Sequence, residues 1–171
     1  MTRLVEWDRR GKYVYRKRDL AKVFHESGNN LDQTVKRLAL KGVLIRAAQG
    51  VYIFAYSSRI GGTTIEDVAM ALRRGDHIFE SLESALSQWG AISQIPVGRI
   101  TLMTTGGKGT FHTPYGVVEF THTRAAPAEI RANTLERPGH PLPIATEAYA
   151  LDNLRRTRRN LDMVVEEGSH A

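Results

Sequence analysis

The chain has 171 residues, 42% of them hydrophobic and 25% charged, which suffices for one ordinary domain or two small ones and excludes disorder. It contains no cysteine, so a disulfide framework, a thiol nucleophile and cysteine-ligated zinc are excluded. The net charge of +6 is uneven: residues 1–56 carry 12 basic and 5 acidic groups, 57–126 carry 6 and 6, and 127–171 carry 6 and 7, so the surplus lies in the first third.

The opening residues MTRLVEWDRRGKYVYRKRD are charged throughout and lack the apolar core of a signal peptide, and no apolar run approaches the length of a membrane span. A soluble, cytoplasmic protein is expected. After the β-favouring Tyr13-Val14-Tyr15, Asp19 stands where an N-cap would, with Leu20, Val23 and Phe24 at helical spacing before Gly28. Asn30 and Gln33 form a capping-box-like pair, and Leu31, Val35 and Leu38 define a second helix that Gly42 ends. Val43–Arg46 and Val51–Phe54, joined through Gln49-Gly50, read as a β-hairpin. Strand, helix, tight turn, helix and hairpin is the order of a winged helix-turn-helix, predicted for residues 1–56.

Ser57–Gly62 reads as a linker, opening a second domain over residues 57–171. Thr63 and Glu66 suggest a capping box for a helix with Ile65, Val68, Ala69 and Leu72 on one stripe, closed by Gly75. A further helix is predicted over Leu82–Trp89, stopped by Gly90. Ile100–Met103, Thr110–Thr113 and Val117–Thr121 read as an antiparallel meander, with Thr113-Pro114-Tyr115-Gly116 as a type I turn. Pro127, Pro138, Pro141 and Pro143 mark an irregular connection with one helical turn near Ala128–Ala132. A last helix is predicted from about Ala145 to Arg158, with Ala148, Leu151 and Leu154 inward. The fold class expected is α+β.

A helix-turn-helix lays its second helix in the major groove, so the solvent face of that helix carries the readout. Gln33, Lys36 and Arg37 project away from the Leu31/Val35/Leu38 side, with Lys41 on the flank. Glutamine suits adenine, arginine and lysine suit guanine, and lysine also neutralises phosphate. Arg16, Lys17 and Arg18 precede the first helix and could hold the DNA backbone, and Arg46 and Gln49 fall on or near the wing. The bland reading is a winged helix used for protein contacts, which the apolar Leu40 on the groove-facing side favours.

Catalytic constellations are mostly rejected by spacing. Thr105–Thr110 is glycine-rich and contains Lys108, but lacks GxxxxGK[ST] spacing and is followed by strand residues, so an inter-strand loop is the reading, with Lys108 a possible backbone contact. His112, Glu119 and His122 lie close in sequence, but Glu119 and His122 fall on opposite faces of one strand. His25, His77, His140 and His170 show no pairing, and no GxSxG element occurs. The Arg155–Arg159 cluster reads as a helix C-terminus neutralised by Glu147, Asp152, Asp162, Glu166 and Glu167. No catalytic residue, metal or cofactor is expected.

Two stretches, ALSQWGAISQIP (85–96) and TTGGKGTFHTPYGVVEFTHT (104–123), closely resemble the central region of AbiEi-family antitoxins, the transcription-regulator halves of type IV toxin–antitoxin pairs. The resemblance implies a winged helix that binds double-stranded operator DNA and represses its operon. It further implies a C-terminal domain that counteracts an AbiEii-type nucleotidyltransferase toxin, in general without a stable complex. Carried over, the DNA readers would be Gln33, Lys36 and Arg37 with the wing at Arg46. The antitoxin signature would be Ser84, Leu86, Trp89, Lys108, Phe111, His112, Pro114, Tyr115 and Gly116. The competing expectations are a nucleic-acid-processing enzyme such as a nuclease using His112, Glu119 or His122, and a plain operon repressor.

Overall fold

The computed structural model describes residues 1–93, 97–160, 162 and 164. Gln94-Ile95-Pro96 of the first signature stretch, and Glu166, Glu167 and His170, lie outside the described residues. The chain is a mixed α+β protein of two compact units, Met1–Arg74 with Thr113–Tyr115, and Gly75–His112 with Gly116–Ala171.

The first unit runs α1 (Thr2–Arg9), β1 (Val14–Arg16), α2 (Lys17–Phe24), α3 (Gly28–Leu40), β2 (Leu44–Ala48), β3 (Val51–Phe54) and α4 (Thr64–Leu72). Its sheet has the order β1-β3-β2, with both neighbouring pairs antiparallel. Gly50, at φ 71, supplies the left-handed residue that the short β2–β3 turn needs. Leu4, Leu20, Leu31, Val35, Ile53 and Phe54 close one core, each such burial contributing about 1.5–3 kcal/mol.

Several local expectations shift. The charged opening hides α1, whose Leu4 is fully buried while Arg3 Nη1 donates to the carbonyl of Phe24 at 2.6 Å. Asp19 is the third residue of α2 rather than its cap, and accepts from the backbone N–H of Arg16 at 2.9 Å. The left-handed His25, not Gly28, ends α2, and Gly28 instead opens α3, so Asn30 sits inside that helix. Leu31 and Val35 are buried with Thr34, and Leu38 is half-buried. The Thr63/Glu66 capping box does not form: Thr63 makes no side-chain cap, and Thr64 Oγ1 accepts from Gly61 N–H instead.

The division of the chain falls after Arg74 rather than after residue 56. The reason is that α4 packs into the first core through Val68 and Ala71, and the Tyr13 hydroxyl donates to Asp67 at 2.6 Å.

The second unit comprises β4 (Ile78–Glu80), α5 (Leu82–Trp89), β5 (Arg99–Thr104), β6 (Gly109–Thr113), β7 (Gly116–His122), α6 (Pro127–Ala132), β8 (Thr134–Leu135), β9 (Ile144–Ala145) and α7 (Glu147–Thr157), less the tip residues 113–115. Its sheet has the order β6-β7-β5-β4-β9-β8. The expected meander is therefore replaced: β7, not β6, lies beside β5, and runs parallel to it with Leu102 opposite Phe120. Burial explains the order. β7 brings the buried Val118 and Phe120 to an interior position, whereas β6 alternates half-buried with exposed residues and suits an edge.

Leu82–Trp89 is helical as expected, with Gly90 at φ 74 as its left-handed cap. At its other end the fully buried Leu82 has φ 58, a conformation costing a non-glycine residue about 1–3 kcal/mol. The surroundings hold it: Thr101 Oγ1 donates to the carbonyl of Ser81 at 2.6 Å, and Asn153 Nδ2 to Ser81 Oγ at 3.0 Å. That last contact also corrects the face of α7, where Tyr149, Ala150, Asn153 and Leu154 are buried and Ala148 is exposed. Thr146 caps α7 by accepting from Tyr149 N–H at 3.3 Å. Among the described residues no helix is long and apolar enough to cross a membrane.

Candidate functional site

The basic residues that the sequence singles out in the first unit distribute over two clefts and one exposed helix flank. Lys17 at the start of α2, Lys36 on α3 and Arg46 on β2 line a cleft of about 410 Å³ together with Asp32, Leu40 and Tyr52. The α2–α3 turn and the β2–β3 hairpin bring these three cations together across separate elements. Arg16, Lys17, Arg18 and Gln49 line a second cleft of about 300 Å³, so Lys17 borders both. Gln33, Arg37 and Lys41 are exposed on α3 and just beyond it, but line neither cleft.

These cations are not equally available. Arg16 is turned inward, its Nε donating to the carbonyl of Ala71. Its burial, then the neighbouring Arg18 and Arg74, lower its pKa. Lys17 forms an ion pair with Asp32. Arg18, Lys36, Arg37, Lys41 and Arg46 make no ion pair among the described residues. Leu40 is 80% exposed, an apolar group on an otherwise polar surface.

The acid that organises this region from behind is Asp19. It meets Arg74 Nη1 at 2.6 Å and Lys12 Nζ at 3.3 Å. Burial alone would raise its pKa, but the hydrogen bonds from Arg74 and the Arg16 backbone, with the Lys12 charge, outweigh burial and hold it at about 2. Asp19 thereby fixes the start of α2, where Lys17 and Arg18 are presented.

In the second unit three acids, Glu80, Glu83 and Glu119, draw arginines onto them. Glu83, 4% exposed, receives Arg159 at 3.0 and 3.2 Å and Asn160 Nδ2 at 2.8 Å. Arg159 also pairs with Glu119, which Arg99 meets on its other oxygen at 2.5 Å. Glu119 is accordingly held below the ordinary carboxylate range, first by the Arg159 hydrogen bond and against its own burial. Glu80, 2% exposed, meets Arg137 at 2.7 Å and Gln88 Nε2 at 3.0 Å. Sequence reasoning missed this network. The available signal was Glu80 and Glu83 standing among Ile78, Phe79, Leu82, Ala85 and Leu86, where an acid needs a partner. Arg159, read as part of a helix C-terminus neutralised by Glu147, Asp152, Asp162, Glu166 and Glu167, is instead a half-buried tie between α5 and β7.

The residues of the two signature stretches do not gather at one point. Leu86 is fully buried, and Ser84 is bound to Thr101 through its N–H at 3.0 Å and its hydroxyl. Trp89 is 41% exposed, with its indole N–H donating to the carbonyl of Ala145 at 2.9 Å. Phe111 stands edge-on to Phe120 at 5.9 Å. Lys108, His112 and Pro114 are exposed, Gly116 has φ 122, and Tyr115 packs on the core of the first unit, to which residues 113–115 belong. His122 Nδ1 lies 2.8 Å from the carbonyl of Gly106, whereas Glu119 is held by Arg99 and Arg159. Among the described residues no group of three or more His, Asp or Glu could hold a metal ion.

Residues 9–135 match the family described as a family of unknown function, DUF6088. The chain belongs to that family. The DUF6088 match spans α2 and α3 as well as β5–β7, so both units contribute to it. In fold the chain is similar to the crystal structure of RV2827C protein from Mycobacterium tuberculosis, with a TM-score of 0.60 at 17% identity. That similarity covers 92% of this chain and 61% of the other. No curated protein matches the sequence significantly.

Proposed function

We propose that this protein is the antitoxin and autorepressor of a type IV toxin–antitoxin pair, with its first unit a winged helix-turn-helix that binds double-stranded operator DNA. The observation that carries the DNA-binding part is the convergence of Lys17, Lys36 and Arg46 on one cleft from three elements. In the binding step α3 enters the major groove and presents Gln33, Lys36 and Arg37, while Lys17, Arg18 and the hairpin residues Arg46 and Gln49 take backbone phosphates. Arg16 contributes through the fold, its guanidinium being committed to Ala71.

The antitoxin part rests on the AbiEi-like stretches, and the partner is a nucleotidyltransferase toxin. The nuclease alternative is disfavoured by Glu119, whose two oxygens are engaged by Arg99 and Arg159, so that this carboxylate is committed to ion pairs rather than to acid–base or metal chemistry. The test combines two measurements on the Lys36→Ala/Arg37→Ala/Arg46→Ala variant. Gel shifts on duplex from upstream of the protein's own gene should show a loss of roughly a hundredfold or more at moderate salt. Co-expression with an AbiEii-type nucleotidyltransferase toxin should still rescue growth. Unchanged DNA binding would remove the first half of the proposal, and absence of rescue by the wild-type chain the second.

A further inference from the structure

One residue of the basic cleft has the wrong sign for a surface that meets phosphate. Asp32 lies in the N-terminal half of α3 and borders the cleft with Lys17, Lys36 and Arg46. It is ion-paired to Lys17, and both side chains are about half exposed, at 51% and 49%. Such a pair adds little to folding stability. Nor does Asp32 cap α3: that helix starts at Gly28, and the macrodipole effect fades beyond the first turn.

An acid on this face weakens binding to any duplex, because it repels phosphate and occupies a lysine that would otherwise neutralise one. A carboxylate does have one favourable partner in the major groove, the N4 amino group of cytosine. The N-terminal half of the recognition helix is the part that reaches base edges.

We propose that Asp32 is a specificity-determining residue of this surface, exchanging its ion pair with Lys17 for the N4 amino group of a cytosine. In the free protein the Lys17–Asp32 pair keeps both charges satisfied. On a matching sequence the carboxylate accepts from cytosine and Lys17 moves to a phosphate. On other sequences the carboxylate faces acceptors or phosphate, and binding is rejected. This inference rests on the DNA-binding reading and adds a sequence preference to it.

The experiment uses the full chain as wild type, Asp32→Asn and Lys17→Ala, with folding checked by circular dichroism. Each is titrated with a random-sequence duplex across a salt series, and each is used to select sequences from a randomised duplex pool. Asp32→Asn should bind the random duplex about three- to tenfold more tightly with a steeper salt slope. Its selected sequences should change one position from cytosine to adenine, the base an amide reads, with the specificity ratio falling about tenfold. Lys17→Ala should keep the cytosine and lower the salt slope by about one. Recovery of the same sequences at the same ratio by Asp32→Asn would overturn the role of Asp32 while leaving DNA binding intact. Failure of the wild type to bind any duplex would overturn the DNA-binding reading itself, and the inference with it.

Discussion

Two groups of cations, one in each unit, are placed in opposite ways. In the first, Arg18, Lys36, Arg37, Lys41 and Arg46 stand exposed without an ion pair among the described residues. In the second, Arg99, Arg137 and Arg159 are drawn onto Glu80, Glu83 and Glu119, two of which are almost fully buried. A count of charges sees a basic third and two near-neutral thirds. The structure separates the unpaired cations around the first unit's clefts from the second unit's paired arginines, although the first unit also ties Arg74 and Lys12 to Asp19 and the second also exposes Lys108, Arg124 and Arg131. Near-neutrality is therefore not an absence of electrostatics, and the basic surplus matters because its groups are left free.

The largest expected effect breaks a tie in the second unit. Arg159→Ala leaves Glu83 and Glu119 without their shared partner and should cost that unit about 2–4 kcal/mol, somewhat below a fully buried pair because Arg159 is partly exposed. The two tryptophans separate the readouts, Trp7 lying in the first unit and Trp89 in the second. Urea unfolding of single-tryptophan versions should show the Trp89 transition moving and the Trp7 transition holding. Equal movement of both would mean that the contrast between the units is not an energetic one.

Next in size is an acid effect in the first unit. Asp19 has a folded-state pKa of about 2, below its unfolded value. A lowered carboxylate pKa contributes stability that is complete above the unfolded pKa and is lost as pH falls through the folded one. The first unit should thus lose about 2–3 kcal/mol between roughly pH 4 and pH 2, and Asp19→Asn should flatten that window. The Trp7 transition followed against pH measures it. Smallest is the exposed pair Asp152–Arg156 on α7, 2.8 Å apart at i,i+4. Asp152→Ala should change stability by no more than about 0.5 kcal/mol.

How far the sequence could be read depended on whether the signal was local. Leu82–Trp89 with Gly90, and the hairpin around Gln49-Gly50, follow from periodicity and turn chemistry within a few residues, and both were legible. α1 was not, because its charged residues masked a stripe that consists chiefly of Leu4 with Val5 and Trp7 beside it. The parallel neighbour of β5 was not legible either, since strand order is set by which strand has more apolar surface to bury, and a two-residue turn at Pro114-Tyr115 suggests a meander either way. Lys17, Lys36 and Arg46 were legible as candidates from their types, but their meeting at one cleft depends on three elements packing together. The Glu83–Arg159–Glu119 tie spans residues 83 to 159 and left no spacing to read.

The contrast between offered and internal charge is tested most directly by the salt dependence of duplex binding. Wild type, Lys36→Ala/Arg46→Ala and Arg99→Ala are titrated with the same upstream duplex, and log affinity is plotted against log salt. Removing two offered charges should reduce the slope by about two, and removing Arg99, whose charge is committed to Glu119, should leave it unchanged. A slope that keeps its value in Lys36→Ala/Arg46→Ala and falls in Arg99→Ala would contradict the account.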